Sequence, residues 1–157
     1  MNLRILLLSI VILMTGCLTV ELCDDSYASE LVARFKTEKQ GETADSTVNS
    51  LTLYGIREGL PDSLLYNSES ASGFVVPLDP NQNFSRFAIQ MDTLSDTLTI
   101  FYQHEIYLIS YGCGFGSLFT LEDHVETNGG IIKKDSILEE MIDAEYETNE
   151  EHIWLYL

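Results

Sequence analysis

Hydrophobic residues recur at every second position along most of the chain, which is the period of a half-buried β-strand. Leu31, Ala33 and Phe35 share one face, with Arg34 and Lys36 opposite. Leu51 and Leu53 alternate with Thr52 and Tyr54, and Phe87, Ile89 and Met91 alternate with Arg86, Ala88 and Gln90. Leu98, Ile100 and Tyr102 follow the same rule, as do Tyr107, Ile109, Tyr111 and Cys113, then Phe115, Ser117, Phe119 and Leu121, and finally Ile153, Leu155 and Leu157. The short apolar run Phe74-Val75-Val76 is closed by Pro77. Turn residues separate the runs at Gly59-Leu60-Pro61-Asp62, Asp79-Pro80-Asn81 and Asn128-Gly129-Gly130. This spacing predicts about eight to ten short strands in an all-β, antiparallel β-sandwich, immunoglobulin-like or similar.

Two segments read either way. Asp96–Gly112 contains no Gly or Pro before its last residue. It is either a hairpin turning at Gln103-His104 or one long, bent strand. Ser136–Glu147 places Ile137, Leu138, Met141 and Ile142 at helical spacing, but acids crowd it from Glu139 to Glu151 without a base. A solvated acidic loop is the preferred reading there, and a short helix the alternative.

The first sixteen residues stand outside this pattern. Arg4 precedes an apolar run, Ile5–Met14, interrupted by Ser9. A helix needs about twenty apolar residues to cross a ~30 Å hydrocarbon core, so the run is too short to span. A cation, a short apolar stretch and small residues make a secretory signal. Leu13-Met14-Thr15-Gly16-Cys17 resembles the bacterial lipobox, with Met14 where Leu is usual, so Cys17 is expected to carry the lipid. Several acyl chains, at roughly 0.8 kcal/mol per buried CH₂, would hold the protein on a membrane permanently. The expected organisation is a signal peptide over 1–16, a lipidated stem over 17–29 and a sandwich domain over 30–157. Leu18 behind Cys17 is not Asp, which favours the outer membrane, and Leu18-Thr19-Val20 favour its periplasmic face over surface display.

Cleavage would leave Cys23 and Cys113. Two cysteines in an oxidising compartment predict one disulfide, worth at most roughly 4–5 kcal/mol for so long a loop; the alternative is a buried Cys113 and a free Cys23. Neither spacing nor the scattered His104, His124 and His152 resembles a metal site.

The net charge of −17, from 25 acids and eight Lys and Arg, excludes a general grip on nucleic acid or a basic membrane patch. No Gly-x-Ser-x-Gly elbow is present. Gly112-Cys113-Gly114-Phe115-Gly116 lacks the Lys and helix of a phosphate loop and reads as glycines relieving strain. Asp79-x-Asn81-x-Asn83 copies the start of a calcium loop but continues with Phe84 and Gln90, so it reads as an Asx-rich turn. No catalytic residue, metal or cofactor is assigned. Asp followed by Ser or Thr and then an aliphatic residue or Thr occurs at Ser46, Ser63, Thr93, Thr97 and Ser136, more often than composition alone gives. The pattern resembles an O-glycosylation acceptor of Bacteroides-like envelopes, although turn-then-strand grammar inflates it. Ser46, Ser63 and Thr93 lie nearest turns, and Thr97 enters a strand.

Cys23-Asp24-Asp25, Leu31–Lys36, Ser50–Gly55, Ser63–Asn67, Pro77–Pro80, Asp96–Ile100, Cys113-Gly114-Phe115 and Thr148–Leu157 occur in one order. That order resembles a family of small envelope lipoproteins from Bacteroides-like bacteria, classed only as a domain of unknown function. The resemblance implies a paired Cys23 and Cys113 and a periplasm- or surface-facing β-domain, and no reaction. The leading functional expectation is a non-enzymatic, lipid-anchored sandwich supporting an outer-membrane component or another envelope protein. The competing one is carbohydrate or ligand binding through Tyr102, Tyr107, Tyr111, Trp154 and Tyr156. An enzyme would need His104 or His152 in a cleft beside a carboxylate.

Overall fold

The computed structural model describes residues 29–39, 41–143 and 150–157. The expected signal peptide, Cys17, Cys23 and most of the expected stem lie outside them. The described residues form an all-β sandwich of eleven strands and no helix. One sheet runs β2 (Glu42–Asp45), β1 (Glu30–Lys39), β11 (Ile153–Tyr156), β9 (Lys134–Ile137), with β5 (Gly73–Pro77) also paired to β1. The other runs β10 (Met141–Asp143), β8 (Gly114–Thr127), β7 (Leu94–Ser110), β6 (Phe84–Met91), β3 (Val48–Ile56), β4 (Ser63–Ala71). All pairings are antiparallel except β1 with β11, where Ala33 meets Ile153 and Phe35 meets Leu155 in parallel register.

The alternation read from the sequence places the core. Leu31, Phe35, Val76, Ile153 and Leu155 of one sheet face Leu51, Leu53, Ile89, Leu98 and Ile100 of the other, all almost fully buried. Phe35 tilts against Phe74 at 5.9 Å, and Tyr102 meets Phe119 edge-on at 5.2 Å, the geometry that aromatic quadrupoles favour. The exposed edge strand β4 is irregular, with register shifts against β3 and a positive φ at Ser68, which makes it a poor template for a further strand.

One open reading is resolved and three expectations are corrected. Of the two readings of Asp96–Gly112 the long strand is the one formed: residues 94–110 make one strand, with no turn at Gln103-His104. A register shift against β8 between Ile100 and Tyr102 supplies the irregularity that a turn would have supplied. The turn falls instead at Tyr111–Cys113. Ser110 Oγ accepts the Gly112 and Cys113 N–H groups there, and Gly114 takes φ +80°, so Tyr111 and Cys113 do not continue the face of Tyr107. Among its described residues, the acidic segment contains neither a helix nor a simple loop. Its described part supplies β9 and β10, because Ile137 pairs with Ile153 and Ile142 with Phe119. Lys36, expected on a solvated face, is buried.

Candidate functional site

The outer face of β1 and β11 explains Lys36. Its Nζ lies 2.6 Å from Asp45 Oδ1, 3.5 Å from Glu151 Oε2 and 4.5 Å from the centre of the Trp154 ring. Glu151 also accepts the Trp154 indole N–H at 2.6 Å and meets Arg34 at 3.5 Å. Burial works against the ammonium charge, but the bond to Asp45 and the Glu151 charge outweigh it, and the pKa of Lys36 is raised. Glu151 therefore ends the acidic segment as a structural ligand, not a solvated charge.

The histidines are kept apart. His152, buried at the start of β11, accepts the Val32 N–H on Nδ1 at 2.9 Å. Burial lowers its pKa despite the opposing charges of Glu150 and Glu139, so it is held neutral as a backbone acceptor. His104 lies 3.1 Å from Ser117 Oγ and against the Phe119 ring. His124 is exposed beside Asp123, whose hydrogen bond raises its pKa. Among the described residues, no three His, Cys, Asp or Glu come together as metal ligands.

The five aromatics do not form a platform. Tyr102 is core, and its hydroxyl is shared among Ser85 and the backbone of Asp79. Tyr156 is buried under Lys134, Trp154 sits under Lys36, Tyr107 donates to Asp143, and Tyr111 stands alone and fully exposed.

A cavity of about 560 Å³ lies elsewhere, between the ends of β3 and β6 and the loop after β5. Phe84, Phe87 and Leu65 give it apolar walls, and Arg57 and Arg86 give it charge. Arg57 donates to Ser63 Oγ at 2.7 Å, and Arg86 stacks over Phe84 at 5.4 Å. Among the described residues neither arginine is ion-paired with an acid, although the chain holds 25 acids. The cavity lining holds no His or Cys. The Asx turn expected at Asp79 forms its rim: Asp79 Oδ1 accepts both N–H groups of Asn81 at 2.9 and 3.2 Å. Sequence periodicity could not reveal this site, because Arg57 lies in a turn and Arg86 reads as an ordinary outward strand residue.

A different carboxylate is the most fully bonded. Asp96 is 5% exposed and accepts the N–H groups of Thr97, Asn128, Gly129 and Ile131. Burial raises its pKa, but the four bonds together prevail and hold it below the usual carboxylate value. This closes the β8–β9 connection around an anion, a structural nest.

Of the serines and threonines in the Asp-Ser/Thr pattern, Thr93 is exposed in the β6–β7 turn. Ser46 is half-buried between β2 and β3, and Ser63 opens β4 beneath Arg57. Thr97 and Ser136 are half-buried within β7 and β9. Cys113, in the β7–β8 turn, is engaged rather than free, while its expected partner Cys23 and the residue expected to be lipidated, Cys17, are outside the described residues.

Residues 50–157, well over half of the chain, match the model of a family described only as a family of unknown function, DUF6452. No curated protein and no solved structure matches. The matched segment begins inside β3 and so leaves out β1, the strand to which β2, β5 and β11 all pair.

Proposed function

The chain belongs to DUF6452, a family of unknown function, and we propose that it is a lipid-anchored bacterial envelope protein whose sandwich binds another envelope component without transforming it. The observation that carries the binding half is the cavity. Two arginines that form no ion pair among the described residues, in a strongly acidic chain, flank apolar walls at one end of the fold. Such a site recognises a component that presents an anionic or oxygen-rich group beside apolar surface. Its lining holds no His or Cys, and its serines bond Arg57 and Tyr102, which favours binding over catalysis.

The anchor half is supported by the leader and by Leu13–Cys17. With Leu18 behind Cys17, the reading places the protein on the outer membrane, facing the periplasm. An engaged Cys113, in a chain whose other cysteines are Cys17 and Cys23, supports a Cys23–Cys113 bridge from stem to hairpin. Among the glycan acceptors, the exposure of Thr93 favours it over Thr97 and Ser136.

The test is photo-crosslinking in intact envelopes, with a crosslinking phenylalanine derivative replacing Leu60 on the cavity wall or Thr93 at the opposite end of β6. A discrete adduct from position 60 that is lost in Arg57→Ala/Arg86→Ala, with none from position 93, is the expected outcome. No adduct from position 60, or equal adducts from both, would sink the cavity reading. Loss of the acylated N-terminal peptide mass in Cys17→Ser is the separate check on the anchor.

A further inference from the structure

Residues 106–121 contain no charged side chain, in a chain of net charge −17, and Glu105 and Glu122 bracket them. This stretch forms the outer part of the β7–β8 hairpin. Its inner face begins as core, with Tyr102 opposite Leu121 and His104 opposite Phe119. The same face continues outward as Ile106 opposite Ser117 and Leu108 opposite Phe115. Past the end of the facing sheet its side chains are uncovered: Ile106 is 69% exposed, Leu108 46% and Phe115 73%, with Tyr111 100% exposed at the tip. Single exposed hydrophobics are ordinary, but four together on a charge-free projection mark a contact surface.

We propose that this tip is a membrane-contacting finger that lays Ile106, Leu108, Tyr111 and Phe115 into the interfacial layer of the bilayer holding Cys17. The proposal rests on the anchored reading above. Three features select lipid as the occupant. The first is chemical. Aliphatic side chains with Tyr and Phe suit the headgroup–acyl boundary, and a charge would be costly there. The second is backbone satisfaction. The hairpin pairs its own N–H and C=O groups across the ladder, and Ser110 Oγ takes two N–H groups of the turn, so little unpaired backbone would enter the layer. The third is reach. From Glu105 to Ser110 the strand extends ~17 Å at ~3.3 Å per residue, enough to cover the ~5–10 Å depth at which interfacial segments bury their apolar faces.

The tether places tip and anchor on one side. Ser29 Oγ donates to the Ser117 carbonyl, so the described chain begins beside this hairpin. The twelve residues from Ser29 back to Cys17 span at most ~40 Å when extended. Thr93, at the far end of β7, then faces away from the bilayer.

The full chain, purified from bacterial envelopes with its native N-terminus, is reconstituted into phosphatidylcholine vesicles containing a photoactivatable acyl-chain probe, and adducts are mapped by peptide mass. The expected result is labelling of peptides within 106–117 several-fold above peptides of β4. The double variant Leu108→Ser/Phe115→Ser should reduce that labelling to the β4 level with an unchanged unfolding midpoint, because both residues are exposed. Tip labelling no higher than β4, or undiminished in the double variant, overturns the proposal; it would mean that the stem, a second copy or a protein partner covers the face instead. The mass of the N-terminal peptide separates the two readings. Acylation with an unlabelled tip overturns the finger and keeps the anchor. An unacylated chain with a labelled tip overturns the anchor and keeps the finger, and loss of both overturns both.

Discussion

Replacing Asp96 with Asn should destabilise the fold while barely changing its shape. In the native protein Oδ1 accepts the N–H groups of Thr97, Asn128 and Gly129, and Oδ2 accepts that of Ile131 at 3.1 Å. An asparagine keeps one acceptor oxygen for the first three. It turns an amide nitrogen toward the Ile131 N–H, where donor then meets donor. A hydrogen bond to a charged group contributes about 1.5–3 kcal/mol, so Asp96→Asn should cost about that much at neutral pH. Asp96→Ala, which abandons all four donors, should cost more. Urea unfolding followed by the single tryptophan, Trp154, reads the change as a lower midpoint at constant slope. The pH dependence has a definite sign. Asp96 titrates below its ordinary value of 3.8 in the folded state. Its contribution is therefore present above that value and is lost as pH falls through the folded pKa. The gap between wild type and Asp96→Asn should be flat above about pH 5 and close in stronger acid. A neutral-pH difference within ~0.5 kcal/mol, the range of ordinary surface changes, would refute the reasoning. So would a gap that widens on acidification.

Other outcomes follow from neighbouring features. His152 has its pKa lowered by burial from an ordinary 6.5, so its contribution is complete above about 6.5 and declines as pH falls toward the folded value; His152→Leu should flatten that slope and cost about 1–3 kcal/mol by orphaning the Val32 N–H, as read by unfolding at several pH values. Gly73→Ala would put a Cβ 2.1 Å from the Ala33 carbonyl oxygen and should lower stability by about 1–3 kcal/mol or more, measured as a fall in Tm. A fragment of residues 50–157 should show no cooperative thermal transition. It lacks Leu31, Ala33 and Phe35, whose larger side chains contribute about 1.5–3 kcal/mol each against a typical total of ~5–15. Circular dichroism melting checks this, and a sharp transition would show that β5 and β11 can find each other without β1.

Strand periodicity made the core legible. Leu31, Phe35, Leu51, Leu53, Phe87, Ile89, Leu98 and Ile100 are buried as their alternation required, because burial on one face is a property of the local pattern. The continuity of β7 was less legible. A seventeen-residue strand and a hairpin have the same alternation, and only pairing to β8 distinguishes them. Lys36 and Glu151 were read as solvent-facing because nothing local records that they would meet across 115 positions of sequence. The Asp-Ser/Thr pattern acquires partial structural content. Asp45 holds Lys36, Asp92 accepts the Ser50 N–H and Asp96 forms the nest, so three of the five aspartates bond the fold itself. The cavity was illegible, since Arg57 comes from the connection after β3 and Arg86 from β6, and they gain meaning only from meeting at one cavity without forming ion pairs among the described residues.

The parallel pairing of β1 with β11 sets an order on biogenesis. β1 is the first of the described strands along the chain, but one of its three neighbours in the sheet, β11, is the last of them. Until Ile153–Tyr156 have appeared, the inner residues of β1 have an incomplete sheet around them. Such long-range closure is slow. The strands made first would therefore wait on the last of the described strands before the sheet around β1 is complete.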